Sequence, residues 1–315
     1  MSKAVTLLQS LLFLLLSGTL AQAQIWPGDM NNNGVVNCVD LLYWSVANGR
    51  TGSPRANPGT QWQAHPMPGD WSGSFSGNPR VNHAYADANG DGRVDRTDVT
   101  AGIEQNFFKT HGTIKPDIAS NIVPLGLLGL RLRSMTPQAN SGDNMTVEVA
   151  LTGQYDRNNH DLKGIAFVIE YDPRYVDPNS FSFQKDARMD PAGNSSYILA
   201  RNNPQKGEIE IALVRTNNFN FLQVSTGRIG QFSFRAANMP GENNQNFRIK
   251  NIACINSNLN TLPIEARSEA QVLVVGGDTD PCPTVVAPVC GSDGKVYLNS
   301  CYAIAAGVTS FTAGV

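Results

Sequence analysis

The stretch Asp29-Met30-Asn31-Asn32-Asn33-Gly34-Val35-Val36-Asn37-Cys38-Val39-Asp40 decides how the N-terminal part of the chain is built. Oxygen-bearing side chains stand at its first, third, fifth, ninth and twelfth positions, and Gly34 stands at the sixth, where the chain must turn sharply. Val35, at position seven, contributes a main-chain carbonyl, so its side chain is free to vary. The pattern returns with Asp87, Asn89, Asp91, Gly92, Arg93, Asp95 and Asp98, Arg93 taking the main-chain position. A hard cation such as calcium takes six to eight oxygens at about 2.3–2.6 Å, and this spacing wraps them round one point. Asp, Asn and Gly are also ordinary turn residues. Two stretches matching at every ligand position, each with an apolar residue at position eight (Val36, Val94), favour the metal.

Two calcium sites are therefore expected, one on Asp29, Asn31, Asn33, Val35, Asn37 and Asp40, the other on Asp87, Asn89, Asp91, Arg93, Asp95 and Asp98. They differ in charge. The first offers two carboxylates, Asp29 and Asp40; the second offers four, Asp87, Asp91, Asp95 and Asp98. Ligand charge tunes affinity, so the second is expected to bind more tightly. Apolar residues at helical spacing follow each loop, in Val39–Trp44 and again in Val99–Phe108. A loop followed by one helix, twice, resembles the dockerin domain. In that family loop positions ten and eleven contact a cohesin partner, which here implies Cys38, Val39, Arg96 and Thr97. The repeats of dockerins follow one another closely, whereas here an insert at 49–83 intervenes, carrying Trp62, Trp71, His65 and His83. Those rings either pack against the calcium module or form a sugar-stacking surface.

Working outward, residues 1–23 combine a basic start, a short apolar run from Leu7 to Leu20 and Ala21-Gln22-Ala23. This is the pattern of a secretory signal, and the run is shorter than the roughly 20 residues that span a bilayer. Net charge is −2 with 16% charged residues and no block of one sign, which argues against an electrostatic nucleic-acid partner. Residues 24–112 are expected to form the calcium module and 113–128 a linker.

From 129 to 275 the pattern changes to period-two alternation bounded by Asn, Gly and Pro turns. Strands are expected at Met145–Leu151, Gly164–Tyr171, Tyr197–Arg201, Glu208–Val214, Arg228–Arg235, Phe247–Ile252 and Ala270–Val275. Glu208-Ile209-Glu210-Ile211-Ala212-Leu213 puts apolar side chains on one face, as a sandwich strand requires. The expected fold class is thus multidomain and mainly β: a small α module built on the calcium loops, an antiparallel β-sandwich, and a small disulfide module. The sandwich, through Leu162–Phe167, Tyr171-Asp172-Pro173 and Gly227–Phe234, resembles a cohesin-like or carbohydrate-binding-module-like domain. No metal pair, nucleophile elbow or Cys/His arrangement marks it as an enzyme.

The last segment, 276–315, holds Cys282, Cys290 and Cys301 in Cys-x₇-Cys-x₆-Tyr-x₃-Cys, with Pro288-Val289-Cys290-Gly291-Ser292-Asp293-Gly294 inside. It resembles a Kazal domain. The resemblance implies a Cys282–Cys301 bridge, an inhibitory loop led by Thr284 and Val285, and a partner for Cys290 in a final cysteine that this sequence does not show. The implied function is a secreted, non-catalytic calcium-binding adhesion or assembly protein. Its expected partners are cohesin-type or dockerin-type modules, in cis or in trans, with a polysaccharide as a further possibility. The alternative is a Kazal-type inhibitor of a serine protease.

Overall fold

The computed structural model describes residues 23–76, 81–123, 128–153, 162–190, 193–216, 227–239, 241–276, 282 and 285–313. Thr284 and all but the last residue of the expected secretory segment lie outside these. Among the described residues, no helix is long and apolar enough to cross a membrane.

The N-terminal two-loop module opens on β1 (Gln24–Ile25), which pairs antiparallel with β2 (His65–Pro66) from the insert. Helix α1 (Asp40–Ala47) follows the first loop. A helical run over 96–106, here α2, follows the second and includes a π-helical stretch at Val99–Ile103. Helix α1 has only eight residues and no side-chain N-cap, too short to persist alone. Packing holds it: every residue but Val46 is buried.

The sandwich consists of β3 (Leu128–Ser134), β4 (Gln138–Asn140), β5 (Asn144–Gly153), β6 (Leu162–Glu170), β7 (Val176–Lys185), β8 (Ser196–Asn203), β9 (Glu208–Arg215), β10 (Arg228–Ala236), β11 (Glu242–Asn256), β12 (Glu265–Ser268) and β13 (Ala270–Val275). They form a five-stranded sheet ordered β12-β3-β5-β10-β7 and a six-stranded sheet ordered β4-β13-β11-β6-β9-β8. Pairing is antiparallel except for β12 with β3 and β13 with β4. Alternate residues such as Val147, Phe167, Ile211, Phe232, Phe234 and Phe247 fill the space between the sheets. Every expected strand is present. β3, β4, β7 and β12 were not expected; β7 carries Pro178 and Asn179 and survives at a sheet edge, where proline is tolerated.

The C-terminal module has β14 (Val289–Gly291) between β15 (Val296–Tyr297) and β16 (Phe311–Ala313), with helix α3 (Ser300–Ala305). Cys282 and Cys301 form a disulfide. Cys38, Cys254 and Cys290 are free thiols, the first two buried.

Candidate functional site: two Asp/Asn/Gly loops against a sheet face

The two loops exchange main-chain hydrogen bonds with each other's trailing segments. Val36 N–H donates to Lys109 and its carbonyl accepts from Phe108, while Val94 N–H donates to Arg50 and its carbonyl accepts from Gly49. The chain after α2 therefore straps the first loop, and the chain after α1 straps the second. Gly34 and Gly92 sit at φ +93° and +88°, and a Cβ on either would come within 2.7–2.8 Å of a strap carbonyl (His111 or Gly52). Both the left-handed turn and the close approach of the strap require glycine at position six.

In the second loop Asp87 and Asp98 are almost wholly buried. Asp87 accepts the N–H groups of Gly90, Asp91 and Gly92 at 2.8–3.1 Å, and Asp98 those of Asn89 and Asp95. Burial pushes the Asp98 carboxyl up to about 7 and raises Asp87 as well. Asp91 and Asp95 each use one oxygen for a turn, to Arg93 N–H and Thr97 N–H; the other Asp91 oxygen accepts from Asn89 Nδ2 at 3.1 Å. The strap residue Arg55 is buried and donates to the main-chain carbonyls of Asp87 and Ala88 at 3.0 and 2.7 Å. Buried carboxylates bonded only to main-chain N–H groups fit a divalent cation, which would balance their charge.

The first loop has the same frame. Asp29 accepts from Asn33 and Gly34 N–H and meets His111 Nε2 at 2.7 Å; Asp40 accepts from Met30, Asn31 and Asn37 N–H. Asp40 is held well above the ordinary carboxylate range by burial and by the charge of Asp29. Asn31, Asn33 and Asn37 each turn an oxygen to the N–H two residues on, at 2.8–3.0 Å. Among the described residues no three His, Cys, Asp or Glu side chains gather at one point. An ion held here would also draw on amide and main-chain oxygens, as calcium loops do.

The module is seated on the outer face of the six-stranded sheet. Ala166, Tyr197, Leu199, Ala212, Val214, Ala253 and Ile255 of the sandwich share one apolar core with Leu41, Leu42 and Trp44 of α1. A Cβ on Gly164 would lie 3.0 Å from Leu42 Cδ2, so this glycine sets how closely α1 approaches β6. The one-faced reading of Glu208–Leu213 is corrected here. Ile209, Ile211 and Leu213 do face the sandwich core, but Glu210, Ala212 and Val214 are buried too, because the N-terminal two-loop module covers their side.

Polar contacts fix the seat. Cys38 N–H donates to Glu210 Oε2 at 2.9 Å, and burial raises the Glu210 carboxyl. Tyr197 Oη donates to Glu104 Oε1 at 2.5 Å, and Arg201 Nη2 to Glu104 Oε2 at 2.8 Å. The Arg96 guanidinium lies 4.7 Å from the Tyr197 ring centroid. Of the residues at loop positions ten and eleven, Cys38 and Val39 are buried against this face and Arg96 reaches it, while Thr97 is exposed and bonds to Asp95. The sandwich half of the contact, with Glu104, was not visible in the sequence, since nothing local distinguishes Glu210 or Tyr197 from other strand residues.

The insert's rings are largely internal. Trp71, His65 and His83 are buried, and Trp71 Nε1–H donates to Ser53 O at 3.1 Å. Trp26 stacks on His111 at 4.4 Å, with Trp62 beside both. In the C-terminal module Asn299 accepts from Cys301 and Tyr302 N–H, capping α3, and donates through Nδ2 to Val285 O at 2.9 Å. Val285 and Val286 are exposed.

A family described as Kazal-type serine protease inhibitor domain matches residues 278–311. No curated protein matches the chain. Similar solved structures include a type I cohesin–dockerin complex from Clostridium thermocellum, at 11% identity over 52% of this chain and 99% of that one, with TM-score 0.38. The cohesin module of a family 33 glycoside hydrolase from Clostridium perfringens aligns at 10% identity over 49% and 100% of the two chains, with TM-score 0.38. The sixth cohesin of scaffoldin B from Acetivibrio cellulolyticus, in complex with the Cel5 dockerin, aligns at 15% over 47% and 99%, with TM-score 0.36. Likeness at this level carries no functional argument; the contacts within the chain do.

Proposed function

We propose that this is a secreted, non-catalytic protein of adhesion or assembly, in which a calcium-organised, dockerin-like module is docked on the chain's own cohesin-like sandwich. The observation that carries this reading is the seat of α1 on β6 and β9, closed by Glu210 on Cys38 and by Glu104 on Tyr197 and Arg201. Calcium supplies the positive charge that the buried loop carboxylates lack. Asp87, Asp91, Asp95 and Asp98 would hold it in the second loop, together with Asn89 and the Arg93 carbonyl. Because the two partners lie in one chain, docking has the advantage of an effective concentration of about millimolar order, and the same faces are closed to other chains.

Light scattering and size-exclusion chromatography of the secreted chain, with calcium and with chelator, test this. A compact monomer in calcium that expands or exposes its sheet face on chelation is expected. Independently tumbling modules in calcium, or a shape indifferent to chelation, would overturn it.

A second reading is favoured for the C-terminal segment by the Kazal match and by the Asn299–Val285 bond, which braces the exposed segment beside Thr284. A braced loop is what a protease-binding segment needs, since rigidity lowers the cost of binding. On this reading the chain inhibits a serine protease, and Thr284→Pro abolishes inhibition without altering calcium binding. Absence of inhibition across trypsin-, chymotrypsin- and elastase-like proteases would remove it.

A further inference from the structure

The strap over the first loop carries an acidic residue that the loop pattern does not include. Asp117, half-buried against the loop, accepts Asn31 Nδ2 at 2.9 Å and Asn33 Nδ2 at 2.6 Å on one oxygen, and Asn37 Nδ2 at 2.7 Å on the other. These three asparagines occupy positions three, five and nine, where the second loop has Asn89, Asp91 and Asp95. Their orientation is fixed, because each asparagine oxygen already accepts an N–H two residues on; swapping an amide would set donor against donor. A carbonyl oxygen has two acceptor sites, so each keeps one for an ion while its amino group is tied down by Asp117.

The straps also act on charge, in opposite senses. The first loop has two carboxylates and gains Asp117; the second has four and gains Arg55, whose guanidinium sits on the carbonyls of Asp87 and Ala88. Asp117 thus brings the carboxylates at the first loop to three, against four at the second, where Arg55 offsets part of the charge. A cavity of ≈ 680 Å³, bordered by Asn37, Cys38, Asp117, Lys206 and Glu210, opens onto Asp117 and provides an approach for an ion.

We infer that Asp117 is a positioning residue of the first calcium site: it holds the three asparagines by their amino groups and supplies the charge the loop itself lacks. This rests on the calcium reading given above. It narrows the difference in carboxylate count between the two sites, three against four, although their loop sequences differ.

The test is isothermal titration of the full secreted chain with calcium, one site at a time. The D87N background isolates the first site and D29N the second. Adding D117N is expected to weaken the first site about 10–100-fold, the usual range for a residue that orients metal ligands, and to leave the second unchanged. Adding N33D to D117N exchanges carboxylate and amide across the same hydrogen bond and is expected to restore the first site. Should D117N fail to fold, the exchanged pair decides: a folded, calcium-binding D117N/N33D chain supports the inference, and an unfolded one assigns Asp117 a purely structural role. Equal weakening of both sites, or no change at either, overturns it. A native chain that binds no calcium at all overturns the calcium reading itself, whereas two bound ions indifferent to Asp117 overturn only this inference.

Discussion

Glu210 lies on the outward side of a sheet, where a lone sandwich would leave it in water, yet it is only 8% exposed and accepts one main-chain N–H from Cys38. Removing the acceptor strands a buried donor, which costs about 1–3 kcal/mol. Glu210→Ala is expected to lower stability by that amount in urea denaturation, whereas Glu210→Gln, which keeps an acceptor and removes a buried charge, is expected to be neutral or stabilising. A Gln variant as damaged as the Ala variant would show that the charge itself is needed. At this scale the sequence was readable in part. The Asp/Asn/Gly positions repeat at fixed spacing, and the first and last carboxylates of both loops are buried. Asp117 and Glu210 belong to no such repeat. One comes from a connector and the other from a strand 172 residues away from its partner Cys38, so only the assembled fold brings them to the loop.

At the scale of elements, α1 is held by apolar contact more than by ions. Leu42 is fully buried between its own module and Gly164 of β6, and Leu42→Ala is expected to cost about 2–5 kcal/mol. The Arg201–Glu104 pair is partly exposed, with side chains 38% and 29% accessible, and Arg201→Ala is expected to cost under about 1 kcal/mol. Equilibrium denaturation of the two variants distinguishes a seat built on packing from one built on charge; the reverse order would mean charge dominates. The covered face was latent in the strands themselves. Gly164–Ile169 and Ile209–Val214 are nearly continuous apolar runs, and strands buried on both faces read that way. Alternation identifies a strand but does not reveal what lies over its far side. The edge strand β7 escaped for another reason: Pro178 and Asn179 break the local pattern, while pairing with β10 still closes the sheet.

At the scale of the whole molecule, one apolar core runs from the N-terminal two-loop module into the sheet face. An ion that binds only the folded state at a hundred times its Kd stabilises by about 2.7 kcal/mol per site. Scanning calorimetry is therefore expected to show one transition for module and sandwich together, shifting upward with calcium. Two transitions with only one sensitive to calcium would mean that the shared core does not couple them. The C-terminal module depends on its own bridge. Cys282→Ser is expected to cost about 2–5 kcal/mol there, making that segment the first to be cut in limited proteolysis while the calcium-dependent transition is unmoved.

That shared core also sets a timetable. Ile25, Met30 and Leu41 leave the ribosome long before Ala253, Ile255 and Leu259, against whose cluster they pack. The N-terminal loops thus emerge with part of their apolar surface still uncovered, and contacts of such long sequence separation form slowly. A segment made before the sheet it packs on is thus among the last parts of the fold to be sealed, and through that interval it depends on its own loops.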